Sequence, residues 1–173
     1  MQHLLGEKEV VVVYDLADGL EAFEVDSACT VRRIVEVGQL GEFQRVADLV
    51  FSRDNASTVA ELARMIETNQ PGHDGYIAYV DETPAGVGRL YTNPDSAFAG
   101  LYGGGTLPEF RSRGLYRAII AAQAKDAMAF GAKYLVVDAL PTSLPILLRL
   151  GFTHLADSWP CTFEHTSAPE YVN

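Results

Sequence analysis

The stretch "GGGTLPEFRSRGLYRAII", residues 103–120, decides how the rest of the chain is read. Its glycines close what reads as a strand, Pro108 stops that strand, and the alanine-rich run beyond Gly114 reads as the longest helix. A helix start leaves backbone N–H groups without partners. Those groups, together with the helix dipole, attract an anion. Gly114 permits a positive φ and a close approach that a side chain would hinder. Successive amides in such a turn can form a concave nest for phosphate oxygens. Arg111, Arg113 and Arg117 bring positive charge to the same place, in a chain whose net charge is -10. Solvated arginines around an ordinary turn would give the same string. The order strand, proline, arginine, glycine, helix favours the phosphate site.

Outward from this turn the chain alternates strands and helices. Residues 9–16, "EVVVVYDL", form a short β-branched run and read as a strand, followed by an acidic connector to residue 28. Residues 29–37 read as a second strand. Helical spacing of Phe43, Val46, Ala47 and Val50 predicts a helix over 40–51. Ser57 is the expected N-cap of the next helix. "YIAYV" and "AGVGRLY" flank "DETP" as a hairpin, and residues 98–107 form the strand that enters the decisive turn. The long helix runs over 114–130 and closes at Gly131. "KYLVVDA" reads as a buried strand, and 145–150 as a short helix ended by Gly151. Residues 152–157 and 161–165 are expected to pair as a last hairpin around Trp159-Pro160.

Several function classes fit poorly. The net charge of -10 argues against a nucleic-acid or anionic-membrane surface. The first residues lack the basic start and cleavage site of a signal peptide, so a cytoplasmic protein is expected. Cys29 and Cys161 read as two buried thiols rather than a disulfide. No G-x-x-x-x-G-K-[ST] loop and no G-x-S-x-G elbow occurs. "GVGRLY" begins like a dinucleotide fingerprint but lacks the third glycine and lies within a hairpin strand. His3, His73, His154 and His165 have no metal-ligand spacing, so no metal is expected.

The turn resembles the acetyl-CoA-binding motif of the GNAT superfamily of N-acetyltransferases, [QR]-x-x-G-x-[GA], with Arg111 and Gly114 matching and Tyr116 standing where a small residue is usual. "ILLRLGF", residues 146–152, resembles the family's later helix, and "YVDETPAGVGRLY" its second and third strands. The element order matches over about residues 30–165. The resemblance implies an α/β (α+β) fold: a mixed, splayed central β-sheet flanked by helices on both faces. It divides the chain into a GNAT-like domain over 29–173 and a preceding strand and connector over 1–28. That strand is either an appended edge strand or the remnant of a preceding domain.

The resemblance also implies acetyl-CoA as co-substrate, lying in the splay between the strands that end near Leu107 and Asp138. Backbone groups of Thr106 and Leu107 would pair with the pantetheine arm. Amides of Arg111, Ser112, Arg113, Gly114, Leu115 and Tyr116 would hold the pyrophosphate. Many members place an asparagine where Leu140 stands here, with Thr142 and Ser143 nearby, and Ser143 is taken as the substitute contact. Many place a tyrosine where Leu147 stands. Candidates for proton transfer are Asp138, at the end of a buried strand, Glu109, directly after the strand end, and Tyr102, on the facing strand. Asp138 could instead hydrogen-bond the "ALPTS" loop, and Glu109 could point to solvent. The expected partner is a small-molecule or peptide amine, with a homodimer allowed and neither nucleic acid nor membrane. Three readings stay open: an N-acetyltransferase, a degenerate member that binds acyl-CoA as a sensor or interaction module, and a non-catalytic partner domain whose glycines are structural.

Overall fold

A computed structural model of the chain describes residues 3–25 and 29–163. The strands are β1 (His3–Leu5), β2 (Glu9–Asp15), β3 (Cys29–Arg33), β4 (His73–Val80), β5 (Thr83–Tyr91), β6 (Phe98–Thr106), β7 (Tyr134–Ala139), β8 (Thr153–Ser158) and β9 (Cys161–Phe163). The helices are α1 (Leu40–Phe51), α2 (Ala56–Glu67), α3 (Leu115–Ala129) and α4 (Leu144–Arg149). Seven strands form one mixed sheet in the order β3-β4-β5-β6-β7-β2-β8, and β1 pairs with β9 apart from it. Among the described strands only β6 and β7 pair in parallel.

Both faces of the sheet carry helices. On β4, Tyr76 and Ala78 join one apolar cluster while Ile77 and Tyr79 join the other, as the two-residue period of a strand requires. The first cluster packs Leu115, Ile119, Ala124 and Ala127 of α3 and Leu147 of α4 against Val12, Leu101 and Leu135. The second packs Phe43, Val46 and Ala47 of α1 and Leu62 of α2 against Ile77 and Val87. The missing side chain of Gly88 lets α3 lie close to β5: a Cβ there would stand 2.6 Å from Cγ2 of Ile119.

Four expectations are corrected. The strand over residues 9–15 is not an edge strand. It lies between β7 and β8, pairing antiparallel with both. Val10, Val12 and Tyr14 are buried on the α3 side, so this strand completes the core there. The C-terminal segments do not form a hairpin with each other, because β8 pairs with β2 and β9 with β1; residues 164 and 165 lie outside the described residues. Ser57 does not cap α2. The helix starts two residues earlier, at Ala56 with Asn55 in the cap position, where the Asp54 carboxylate accepts from the Ala56 amide at 2.8 Å. Asp48 holds the preceding Asn55, accepting from its backbone amide at 2.8 Å and its side-chain amide at 3.0 Å. Cys161 is exposed and Cys29 partly so, which corrects the expectation of two buried thiols.

Candidate active site

The site begins where two parallel strands part. β6 and β7 pair only at Phe98–Tyr134, Ala99–Leu135 and Gly100–Val136, yet β6 runs on to Thr106 and β7 to Ala139. Beyond Gly100 and Val136 the two strands diverge, leaving a slot whose walls are strand backbone. A bulge lies at the same level. Val87 faces Gly105 and Arg89 faces Tyr102, so β6 spends one residue more than β5 across this span. Gly103 takes φ +54° there, a conformation that glycine adopts without penalty. The triple glycine was the sequence signal for this bulge.

At the far end of β6 the chain makes the decisive turn. Leu107 leads into a single 3₁₀ turn, Pro108–Phe110. Ser112 and Gly114 both take left-handed conformations, φ 61° and 80°, on either side of Arg113. The first intrahelical bond of α3 runs from the Ala118 amide to the Gly114 carbonyl at 2.9 Å. The amides of Leu115, Tyr116 and Arg117 therefore precede the helical ladder and have no acceptor within it. Arg111 donates from Nε to the Thr106 carbonyl at 3.4 Å, and Arg113 lies over the Phe110 ring. Nε of Arg117 is buried without a hydrogen-bond partner. Among the described residues none of these three arginines forms an ion pair. Arginines without ion pairs and amides without a helical acceptor are the features that can attract an anion at a helix start.

Tyr116 does not obstruct it. Its ring lies against β6, where a Cβ at Gly104 would stand 2.7 Å from Cε2. Burial pushes its hydroxyl pKa up to about 12, so the phenol stays neutral. Only the Tyr116 backbone remains to meet a ligand. Tyr116→Ala is expected to weaken acetyl-CoA binding by less than about tenfold, or 1.4 kcal/mol. It should cost on the order of 2–3 kcal/mol of stability, because the ring is not fully enclosed. Calorimetric titration and thermal melts check the two parts.

Other expected contacts are placed differently. The Leu107 amide donates to the Ala85 carbonyl at 2.9 Å, and the Leu107 carbonyl accepts from the Phe110 amide at 3.0 Å. Leu107 is therefore engaged within the chain, and a pantetheine arm there would have to use the second lone pair of its carbonyl. Thr106 borders the slot, with its hydroxyl buried and unpartnered. Ser143 sits before α4 and donates from Oγ to the Leu140 carbonyl at 3.2 Å, so its hydroxyl braces its own loop.

Asp138 and Tyr102 alternate with residues packed on the α3 side, so they lie on the opposite sheet face, the one that carries α1 and α2. Asp138 stands opposite Val11 and is exposed, not partly buried as expected; among the described residues the apolar cluster under α1 and α2 includes nothing from β7. The Tyr102 ring folds back over Gly100. Burial raises the Tyr102 pKa, and the Asp138 carboxylate raises it further, which places the two groups in one electrostatic neighbourhood. Glu109 is exposed in the 3₁₀ turn. Leu147 is fully buried in the core. Leu147→Tyr is expected to overpack that core and cost about 1–3 kcal/mol, read as a lower melting temperature.

The sequence reading missed Arg89. It pairs with Tyr102 across β5 and β6, and its guanidinium lies over Gly103, where a Cβ would meet Nε at 3.2 Å. The signal was a lone arginine inside an otherwise apolar strand, "GVGRLY".

The matching family model spans residues 43–152 and describes the Acetyltransferase (GNAT) family. The chain belongs to this family. The match covers the splayed strands, the arginine turn and Leu147. Solved structures agree on the fold. A conserved protein of unknown function from Staphylococcus epidermidis superposes with a TM-score of 0.64 at 18% identity, over 91% of this chain and 61% of the other. A GCN5-related N-acetyltransferase from Kribbella flavida gives a TM-score of 0.65 at 18% identity, over 90% of this chain and 57% of its own. This chain thus spans about three-fifths of the length of those two proteins. The structure of AAC(6')-Iy, in complex with the bisubstrate analogue CoA-S-monomethyl-acetylneamine, gives 0.62 at 20% identity, over 85% of this chain and 98% of that one. No curated protein matches the sequence at a significant level. Among the described residues no helix is long and apolar enough to cross a membrane.

Proposed function

We propose that this GNAT protein is an N-acetyltransferase that moves an acetyl group from acetyl-CoA directly to an amine. One observation carries the reading. The slot that opens beyond Gly100 and Val136 leads to the open amides and unpaired arginines at the start of α3. A long thioester with a pyrophosphate at one end matches both parts. The turn from Arg111 to Tyr116 holds the pyrophosphate through backbone N–H groups, and Thr106 borders the pantetheine arm. Two substrates oriented this way need no acyl-enzyme.

The amine nitrogen bonds to the thioester carbonyl carbon, the C–S bond breaks, and the sulfur leaves as thiolate. Asp138 accepts the proton that the amine loses, directly or through water. Tyr102 keeps its proton at neutral pH and stands ready to donate a hydrogen bond near the sulfur. Thiols are acidic enough to leave without a stronger acid, which accommodates Leu147 at the place of a tyrosine. The acceptor is a small molecule or a peptide end, reached from the Asp138 face of β7. The expected setting is the cytoplasm.

A second reading has one observation in its favour. Leu147 is wholly core, so a usual acid is missing, and a protein that binds acyl-CoA without turnover would look the same there. A screen of amines, polyamines, amino acids and peptide N-termini with a thiol readout separates the two. Amine-dependent thiol release is the expected result. Acetyl-CoA binding without release across the panel would leave the sensor reading.

A further inference from the structure

Arg89 has no role in the reaction as described so far. It lies on the sheet floor at the bulge, half-buried, beside the mouth of the slot. Among the described residues it forms no ion pair and no side-chain hydrogen bond. A half-buried guanidinium without a carboxylate is costly to keep unless a ligand supplies one. Its charged neighbours are Glu61 and Arg53. Glu61 is already held by Nδ1 of His73 at 2.7 Å. Arg53, in the turn between α1 and α2, rests over the Phe51 ring and likewise forms no ion pair. The end of α1 brings that turn over the bulge, since a Cβ at Gly105 would meet Val50 and Phe51. Two arginines therefore converge on the face from which the acceptor enters, in a strongly acidic protein.

We infer that the acceptor carries a carboxylate close to its amine, and that Arg89, with Arg53, anchors this carboxylate and so selects the substrate. The inference rests on the acetyltransferase reading above. Arg89 and Tyr102 are register partners on neighbouring strands, which lie about 5 Å apart. A carboxylate on Arg89 thus places an amine a few bonds away beside Tyr102 and the slot. That span suits an amino acid. A planar guanidinium binds such a carboxylate through two parallel hydrogen bonds.

The test uses matched acceptors: alanine, alaninamide and ethylamine; phenylalanine, phenylalaninamide and phenethylamine; lysine, lysinamide and cadaverine. Thiol release from acetyl-CoA gives kcat/KM for each. Thermal shift in saturating CoA gives binding without turnover. The free amino acid is expected to exceed its amide and its decarboxylated amine by at least about tenfold in at least one set, as a charge-assisted pair would give. In Arg89→Gln that preference should collapse through KM, and the CoA-dependent shift by the amino acid should vanish, while acetyl-CoA affinity persists. Arg89→Lys should restore part of the preference. Equal use of amides or bare amines overturns the inference. So does a preference that survives in Arg89→Gln, or acetyl-CoA binding with no shift or turnover by any of the three amino acids. Failure of acetyl-CoA to bind the native protein would instead remove the acetyltransferase reading beneath it.

Discussion

Gly114→Val is expected to reduce acetyl-CoA affinity at least a hundredfold, about 2.7 kcal/mol, while the protein still folds. Gly114 sits at φ 80° directly before α3. A β-branched residue there pays about 1–2 kcal/mol for the left-handed conformation. It also places two methyl groups over the amides that would meet the pyrophosphate. The residue is only half-buried, so the core clusters keep their packing. Titration calorimetry against native protein, with a melt to confirm folding, reads both effects. Undiminished affinity in a folded variant would take the pyrophosphate away from this turn.

Asp138→Asn is expected to lower turnover by roughly a hundredfold, at the lower end for a lost general base, with acetyl-CoA affinity unchanged. The lower end is chosen because Asp138 is exposed. Water can reach the amine from the same side and partly substitute. The variant is nearly isosteric and leaves the pairing of β7 with β2 intact. Full turnover across the pH range would make Asp138 structural and pass the role to water or Glu109.

The parts of this fold that local chemistry governs were legible in the sequence. The helix over 40–51 has the expected bounds, because four apolar residues at helical spacing leave one stripe to bury. The turn at Gly114 was legible because its proline, arginines and glycine each restrict the backbone or its charge. Long-range pairing was not. The run "VVVV" announces a strand but cannot say which strands flank it, and β2 finds both partners more than a hundred residues away. An edge strand with both faces apolar should itself have raised suspicion, since interior strands are the ones that read as continuous apolar runs. The hairpin expected around Trp159-Pro160 failed for the same reason. β9 pairs with β1, far away in sequence, and β8 pairs with β2.

The site divides along the same line. The features that can attract an anion follow from local turn chemistry. The environment of Asp138 depends on what packs against β7, and no local pattern encodes that. Arg89 was visible only as an arginine in an apolar strand. Its meaning depends on the bulge at Gly103, which places the guanidinium beside the slot instead of in solvent.

Hydrogen exchange at the start of α3 tests the central claim most directly. The amides of residues 112–117 should exchange quickly in the free protein, because those of Leu115, Tyr116 and Arg117 precede the helical ladder. Saturating acetyl-CoA should slow them by at least about tenfold, the protection expected when opening costs a further 1.4 kcal/mol. CoA should do the same, and pantetheine, which lacks the pyrophosphate, should not. Binding of acetyl-CoA without protection at these six amides, or equal protection by pantetheine, would contradict the account.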